Sequence, residues 1–128
     1  MFKKEKIAII SGKKLMAEGW THTIFHAGNK FFFSGKYFSS EALINGPFIP
    51  DVILVDAPLR HEDTFQAIRK IKAEFSMAKV ILLVSSYSEQ LEQQVKELQV
   101  DVLSDKNITG DELISLIKNV NQQRIATS

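Results

Sequence analysis

Five short apolar runs are spaced along the chain, at residues 7–10, 31–33, 52–55, 80–84 and 100–103. Turn residues such as Ser-Gly, Asp-Ala-Pro and Ser-Ser follow the first four runs. Continuous apolar runs of this length, rich in β-branched residues, are typical of strands buried on both faces of a parallel sheet. We expect each strand to end where its turn residues begin.

The segments between the runs carry apolar residues at helical spacing, which predicts helices packed on the sheet. The second helix is short, around residues 40–45, and the last begins with the capping-box pattern Thr109-Gly-Asp-Glu112. Ser85 and Ser86 are interpreted as the start of a loop and a cap for the next helix. The apolar helical positions are Met16, Trp20 and Ile24; Phe65, Ile68, Ile71 and Phe75; Leu91, Val95 and Leu98; and Leu113, Leu116, Ile117 and Val120.

Strand and helix alternate five times, so the chain is predicted to be an α/β protein with a doubly wound parallel sheet. Ligand sites in such sheets lie at the carboxyl ends of the strands. The apolar pattern is lost after residue 120. We therefore predict one domain over residues 1–120 and a linker or frayed tail over residues 121–128.

The composition is that of an ordinary globular domain, and it excludes several classes of function. The chain has 128 residues, 45% of them apolar and 24% charged, which is enough for one domain with a hydrophobic core. The net charge of +1 provides no general basic field for nucleic acid, and the absence of cysteine excludes disulfides and thiolate metal sites. The first apolar run is too short for a signal peptide or a membrane span, so we expect a soluble cytoplasmic protein without membrane contact.

Motifs at the predicted strand ends together resemble the response-regulator receiver family, most closely its NarL/LuxR-type subgroup. The stretch Pro50-Asp-Val-Ile-Leu-Val-Asp56 resembles the family's third strand with its phosphoacceptor aspartate. Lys106-Asn-Ile-Thr109 resembles the lysine turn before the last helix. Residues 15–19, 41–43 and 67–71 resemble the first three helices. The similarity extends from about residue 6 to residue 120, and it lies in the order and spacing of these motifs.

The resemblance implies a flavodoxin-like, CheY-like (βα)5 fold with strand order 2-1-3-4-5. It also implies a mechanism in which the aspartate carboxylate attacks phosphorus and a lysine neutralises the product. In the family, a Mg²⁺ ion held by an acidic pair after the first strand bridges the acceptor and the phosphoryl oxygens. A Ser or Thr at the end of the fourth strand and an aromatic residue on the fifth then respond to the phosphorylated state.

This chain departs from the family's pattern at most of those positions. The acidic pair falls on Ser11 and Gly12, the switch hydroxyl on Val84, and the switch aromatic on Leu103. Only the phosphoacceptor Asp56 and the pocket lysine keep the family's residue types. We therefore expect Asp56 to be an inactive acceptor that ion-pairs with the pocket lysine. We expect no cofactor, and Mg²⁺ binding that is weak or absent.

Three further features have both a functional and a structural interpretation. Lys13 and Lys14 follow the lost acidic pair, where an ammonium would replace the cation, but we favour solvated surface lysines. His22 and His26 have metal-ligand spacing on the first helix; without a carboxylate or cysteine partner nearby, we interpret them as a solvent-facing pair and predict no metal site. Ser85 would replace the lost switch hydroxyl only if a register slip or bulge turned it toward the pocket.

The leading hypothesis from the sequence is an atypical receiver domain of a LuxR/NarL-type transcription regulator. It would form a homodimer through receiver surfaces and control a DNA-binding helix-turn-helix domain beyond residue 128, largely without aspartyl phosphorylation. The alternative is a receiver, alone or joined to an effector, that a histidine kinase or small phosphodonor still phosphorylates on Asp56. An enzyme ranks last, because no nucleophile-base pair, acidic cluster or glycine-rich phosphate loop occurs at the predicted strand ends.

Overall fold

The computed structural model describes residues 5–27, 31–60 and 62–126. Within these residues the strands and helices alternate as predicted, and the strands form one parallel sheet in the order β2-β1-β3-β4-β5. The predicted class, doubly wound topology and strand order are confirmed. The elements are β1 (Glu5–Ile10), α1 (Lys14–His26), β2 (Phe31–Tyr37), α2 (Ser40–Ile44), β3 (Val52–Asp56), α3 (Thr64–Glu74), β4 (Lys79–Val84), α4 (Glu89–Glu97), β5 (Val102–Asp105) and α5 (Gly110–Ala126).

The sheet is buried on both faces, which explains why its strands are apolar without alternation. All of β3 is buried, and neighbouring residues in it pack on opposite sides. Ile53 joins a cluster with Ile68 of α3, on the face that α2, α3 and α4 cover. Leu54 joins a cluster with Ile117 of α5, on the face that α1 and α5 cover. The apolar helical positions predicted from the sequence all belong to, or pack against, one of these two clusters.

Side chains at the helix ends satisfy backbone groups that the helices leave unpaired. The predicted capping box is confirmed, since Thr109 N–H donates to Glu112 Oε1 and Glu112 N–H donates to Thr109 Oγ1, both at 3.1 Å. The predicted cap of α4 is wrong by a few residues. Ser88, and neither serine of the pair at residues 85–86, caps this helix by accepting from Leu91 N–H at 3.1 Å.

Strand β2 is longer than predicted, because the Ser-Gly pair after Phe33 does not end it. Ile7 of β1 pairs with Phe33, and the next residue, Ala8, pairs with Gly35, so one extra residue of β2 forms a bulge. Gly35 has a φ of 151°, a conformation that side-chain-bearing residues rarely adopt. The bulge allows the strand to continue to Tyr37, beside the end of β1.

Strand β5 lies two residues later than predicted, because Val100 belongs to the end of α4. Gln99 has a φ of 61°, and its N–H donates to the Lys96 carbonyl, while Val100 N–H donates to the Val95 carbonyl, both at 3.2 Å. These two bonds form a Schellman motif, in which the residue after the left-handed position commonly makes an apolar contact. Val100 makes that contact by packing against the core. Its apolar side chain led to the prediction of a strand from residue 100, whereas β5 begins at Val102.

Helix α5 continues to Ala126, beyond the boundary predicted at residue 120. The predicted tail is thus helical over residues 121–126, and residues 127–128 lie outside the described part of the chain, as do residues 1–4 of the predicted domain. The division into a domain and a linker stays a prediction. None of the helices in the described residues is both long enough and apolar enough to span a membrane.

Candidate functional site

The sheet brings three of the predicted site residues together at its carboxyl edge. Asp56 ends the central strand β3 and is 1% exposed. Ser11 and Lys106 come directly after β1 and β5, and both are buried as well. Backbone hydrogen bonds fix their places: Ser11 N–H donates to the Tyr37 carbonyl at 3.0 Å, and Lys106 N–H donates to the Val84 carbonyl at 2.8 Å. Three strand ends therefore converge on one carboxylate.

Both oxygens of the Asp56 carboxylate accept hydrogen bonds from side chains. The Ser11 hydroxyl donates to Oδ2 at 2.7 Å. Lys106 Nζ donates to Oδ1 in a buried ion pair. The same ammonium donates to the Ala57 carbonyl at 2.7 Å, and Lys13 N–H donates to the Ser11 hydroxyl oxygen at 3.0 Å. No buried side-chain nitrogen or oxygen in the described residues lacks a partner. The site is therefore a closed and internally satisfied polar network.

Arg60 completes this site, and sequence reasoning missed it. Its Cβ, Cγ and Cδ atoms lie over Gly12, so close that a Cβ on Gly12 would come within 2.6 to 3.0 Å of them. Real side chains essentially never approach that closely, so any larger residue at position 12 would have to displace the arginine stem. Glycine at this position lets the arginine stem lie directly against the backbone. The two residues are 48 positions apart, and no local pattern in the sequence signals their contact.

The loop that carries Arg60 is held on both sides of it. Before it, Leu59 is buried and donates its N–H to Thr64 Oγ1 at 3.0 Å. After it, the Glu62 carboxylate accepts from Ser40 N–H at 2.7 Å and from the Ser40 hydroxyl at 2.6 Å. Because Ser40 begins α2 and is fully buried, Glu62 ties the loop to a fixed part of the fold. The loop is thus anchored on both sides of Arg60, whose own side chain is exposed.

The residues present do not fit the divalent cation that the resemblance to receivers implies. Mg²⁺ is held by carboxylates and water in octahedral geometry. Here Asp56 supplies the one carboxylate, and Lys106 and Ser11 occupy its two oxygens. The position of the second acidic residue, Gly12, has no side chain and is covered by Arg60. In the described residues no group of three or more histidine or acidic side chains is arranged to hold a metal ion.

Lys13 and Lys14 flank this site at the surface. Both side chains are exposed, and in the described part of the chain neither forms an ion pair with a carboxylate. Lys14 lines a small cavity of about 70 Å³ together with Ser11. The structure therefore puts neither lysine on Asp56, where Lys106 already acts as the counter-ion.

The predicted switch positions lie beside the site and contribute no polar group to it. Val84 is buried and lines an apolar groove of about 270 Å³ with Phe65 and Leu91. Leu103 of β5 is partly buried against the core. Ser85 is exposed on the rim of the same groove and makes no hydrogen bond to Asp56. The register of β4 with β5 runs without a slip from Ile81 onward, so no bulge turns the serine inward.

The two histidines of α1 form an exposed pair. Their ring centroids lie 4.0 Å apart, and His26 Nδ1 lies 3.0 Å from the His22 carbonyl oxygen. Since a carbonyl only accepts hydrogen bonds, this contact makes His26 Nδ1 the donor nitrogen. Among the described residues, neither histidine forms a hydrogen bond with Ser11, Asp56 or Lys106.

Comparison with solved structures relates this fold to response-regulator receiver domains. The receiver domain of RcsB from Salmonella enterica serovar Typhimurium matches with a TM-score of 0.82 at 17% identity, over 94% of this chain and 90% of that one. The receiver domain of the putative response regulator NarL from Mycobacterium tuberculosis matches with a TM-score of 0.81 at 17% identity, over 92% and 96%. A LuxR-family DNA-binding response regulator from Staphylococcus aureus matches with a TM-score of 0.79 at 16% identity, over 91% and 98%. No protein-family model and no curated protein sequence matches the chain.

The chain is thus a domain with the CheY-like receiver fold. A longer RcsB chain from Salmonella typhimurium matches with a TM-score of 0.84 at 16% identity, and this chain covers 62% of it. The similarity to the longer chain is therefore confined to a part of it.

Proposed function

We propose that this chain is an atypical receiver domain of a LuxR/NarL-type response regulator, one that acts largely without Mg²⁺-dependent phosphorylation of Asp56. The observation that carries the proposal is the Asp56 carboxylate itself. Both of its oxygens are bound inside the fold, by the Ser11 hydroxyl and the Lys106 ammonium. Ser11 and Gly12 stand where an acidic pair would hold Mg²⁺, so the Asp56 oxygen that would share the cation with a phosphodonor accepts from a hydroxyl instead.

Electrostatics support a weak acceptor as well. Two like charges about 4 Å apart repel by roughly 4 kcal/mol at an effective dielectric constant near 20. A divalent cation would offset that repulsion between the carboxylate and a phosphodonor, but the acidic pair that would bind it is replaced by Ser11 and Gly12. Expressed in full in the transition state, the repulsion slows the reaction roughly a thousandfold. We therefore propose that Mg²⁺ binds weakly or not at all.

The switch positions support an output that does not depend on phosphorylation. Val84 has no hydroxyl to donate to a phosphoryl oxygen, and Leu103 has no aromatic ring to move inward. We propose that the domain instead acts in one fixed state, as a non-catalytic signalling module that forms a homodimer. It would control a helix-turn-helix domain encoded beyond residue 128, and it would contact DNA only through that domain. The part-length match to the longer RcsB chain is consistent with this arrangement.

The test is treatment of the protein with beryllofluoride, or with acetyl phosphate, in the presence of Mg²⁺. After acetyl phosphate we expect no increase in the mass of the intact protein. On adding beryllofluoride we expect chemical-shift changes no larger than those that the same addition causes in an Asp56→Asn variant. The RcsB receiver domain, which has been solved with beryllofluoride, is the positive control. An adduct on Asp56 with shifts that spread to β5 and α5 would contradict the proposal.

A second candidate function is a receiver that still accepts phosphate on Asp56. The geometry that favours it is the retained contact between Asp56 and Lys106 at the carboxyl edge. In this case a histidine kinase or a small phosphodonor would phosphorylate the protein, which would act in a phosphorelay or as an adaptor. The same mass measurement distinguishes a receiver that is phosphorylated on Asp56 from one that is not. A histidine kinase is a further phosphodonor to include in that measurement.

A further inference from the structure

Helix α1 ends in a pair of histidines whose rings the fold brings together. His22 and His26 are one helical turn apart and both are exposed, and their ring centroids lie 4.0 Å apart with an angle of 36° between the rings. Two nitrogens that bind one Zn²⁺ at about 2.0–2.1 Å in tetrahedral geometry lie about 3.4 Å from each other. Rings at this separation can therefore reach one cation through small rotations of the two side chains.

One of the two rings is already oriented in the way that metal-bound histidines are. His26 Nδ1 donates to the His22 carbonyl at 3.0 Å. A histidine that binds a metal almost always donates its other ring N–H to a carbonyl, a carboxylate or water, and this bond fixes the tautomer and the orientation of the ring. The neutral ring of His26 therefore has its lone pair on Nε2, where a metal ion can bind.

The end of α1 also suits a positive ion electrostatically. The last turn of a helix carries the negative end of the helix dipole, and His26 lies in that turn. Glu18, one turn before His22, lies 3.9 Å from Lys36 Nζ, so this exposed pair adds no net charge beside the histidines. Among the described residues no three histidine or acidic side chains are arranged around a metal position, so this chain supplies two ligands. Spacing alone predicted no metal here, and the contact between the rings and the oriented nitrogen are what the structure adds.

We propose that His22 and His26 chelate one divalent ion of a late transition metal, such as Zn²⁺ or Cu²⁺, with water in its remaining positions. Imidazole nitrogen suits these ions, whereas Mg²⁺ prefers oxygen ligands. The site does not involve the Asp56 network, so it does not depend on whether Asp56 is phosphorylated. We expect a dissociation constant on the order of 10–100 µM for Zn²⁺, because the protein supplies two of the four ligands, and tighter binding of Cu²⁺.

The test is a titration of the full chain with ZnCl₂ in a buffer that binds no metal, followed by NMR and calorimetry. We expect one Zn²⁺ per chain, with saturable shifts of the ring protons of His22 and His26 that EDTA reverses. MgCl₂ at the same ionic strength is the control and should shift neither ring. Equal shifts with Mg²⁺, no ring shifts with Zn²⁺, or saturation at one Zn²⁺ per two chains would overturn the proposal.

Variants separate a chelating pair from single histidines. His26→Ala should weaken Zn²⁺ binding about tenfold or more, because the second imidazole no longer binds intramolecularly. His61→Ala, which removes the third histidine of the sequence, should leave binding unchanged.

His22→Phe combined with Phe25→His keeps the composition and exchanges two exposed positions, so circular dichroism should show an intact fold. Its two histidines are neighbours in the sequence and do not face each other on the helix, so it should bind as weakly as His26→Ala. If this exchange binds Zn²⁺ like wild type, or if His61→Ala weakens binding as much as His26→Ala, the proposal is wrong.

Discussion

Two aspartates form ion pairs with lysines at opposite edges of the same sheet, in very different ways. At the amino edge, Asp101 accepts from Val80 N–H at 2.8 Å and from Lys72 Nζ at 3.0 Å, and Lys79 Nζ lies 3.6 Å from it. At the carboxyl edge, the partners of the Asp56 carboxylate among the described residues are the side chains of Ser11 and Lys106. The side chain of Asp101 is 21% exposed and that of Asp56 is 2% exposed.

The difference separates a structural carboxylate from one that belongs to a site. The Asp101 carboxylate accepts from Val80 N–H near the start of β4, so it helps to fix the backbone of that strand. Asp56 accepts from no backbone amide of residues 5–27, 31–60 and 62–126, and it is buried, where an ion pair gives little net stability relative to apolar residues of similar size. Ser11 and Lys106 offset the free-energy cost of burying the Asp56 charge, and they occupy both oxygens of its carboxylate. The largest effects of mutation are therefore expected at the carboxyl edge.

Lys106→Met should give the largest effect, a loss of about 3–5 kcal/mol in the free energy of unfolding, because it leaves the Asp56 charge buried and unpaired. Lys72→Met at the amino edge is the comparison and should cost about 1 kcal/mol, because Asp101 keeps Lys79 and Val80 N–H as partners when the Lys72 bonds to Asp101 and to the Ala78 carbonyl are lost. Urea unfolding followed by circular dichroism measures both. Adding Asp56→Asn to Lys106→Met should recover most of the loss. Similar effects of the two lysine variants would show that the contrast in burial has no energetic consequence.

Ser11→Ala should cost about 2 kcal/mol, because it removes a hydrogen bond to a buried ionised group. Ser104→Ala is the control, since that hydroxyl only donates to the neighbouring Asp105 carbonyl at 3.2 Å, and it should change stability little. The cost of Ser11→Ala should fall in an Asp56→Asn background. An unchanged cost there would mean that the hydroxyl matters for reasons unrelated to the carboxylate.

Asp101→Asn should have a smaller effect than Lys106→Met and Ser11→Ala, about 1 kcal/mol, because an amide oxygen can still accept from Val80 N–H while the partly exposed ion pairs are lost. The stability difference from wild type should shrink at about 1 M salt, where exposed charges are screened within roughly 3 Å. The difference that Lys106→Met produces should persist at the same salt concentration. If the stability changes caused by Asp101→Asn and Lys106→Met respond equally to salt, the ion pairs at the two edges do not differ in their exposure to solvent.

The fold was predictable because its signals are local and repeated. Buried parallel strands need unbroken apolar runs, and the helices between them need apolar stripes, so five repeats define a doubly wound sheet. The errors arose where local signals have two meanings. Gly35 suggested a turn but occupies a bulge, and Val100 suggested a strand but caps a helix.

The candidate site was only partly predictable. The positions of Asp56 and Lys106 could be assigned from the order of the motifs, and their ion pair was expected. The lost metal ligands indicated what the site lacks, but not what replaced it. The bond from Ser11 to the carboxylate and the stem of Arg60 over Gly12 are tertiary contacts between distant loops. Neither has a period or a spacing by which the sequence could reveal it.

The contact between Gly12 and Arg60 also restricts how this protein can change over evolutionary time. An aspartate that reappeared at position 12 would meet the arginine stem at distances of 2.6 to 3.0 Å before it could hold a cation. Loss of the arginine alone would restore no ligand. An acidic pair therefore needs one change at Ser11 and another at Gly12, and the second also needs the exposed Arg60 stem to move aside.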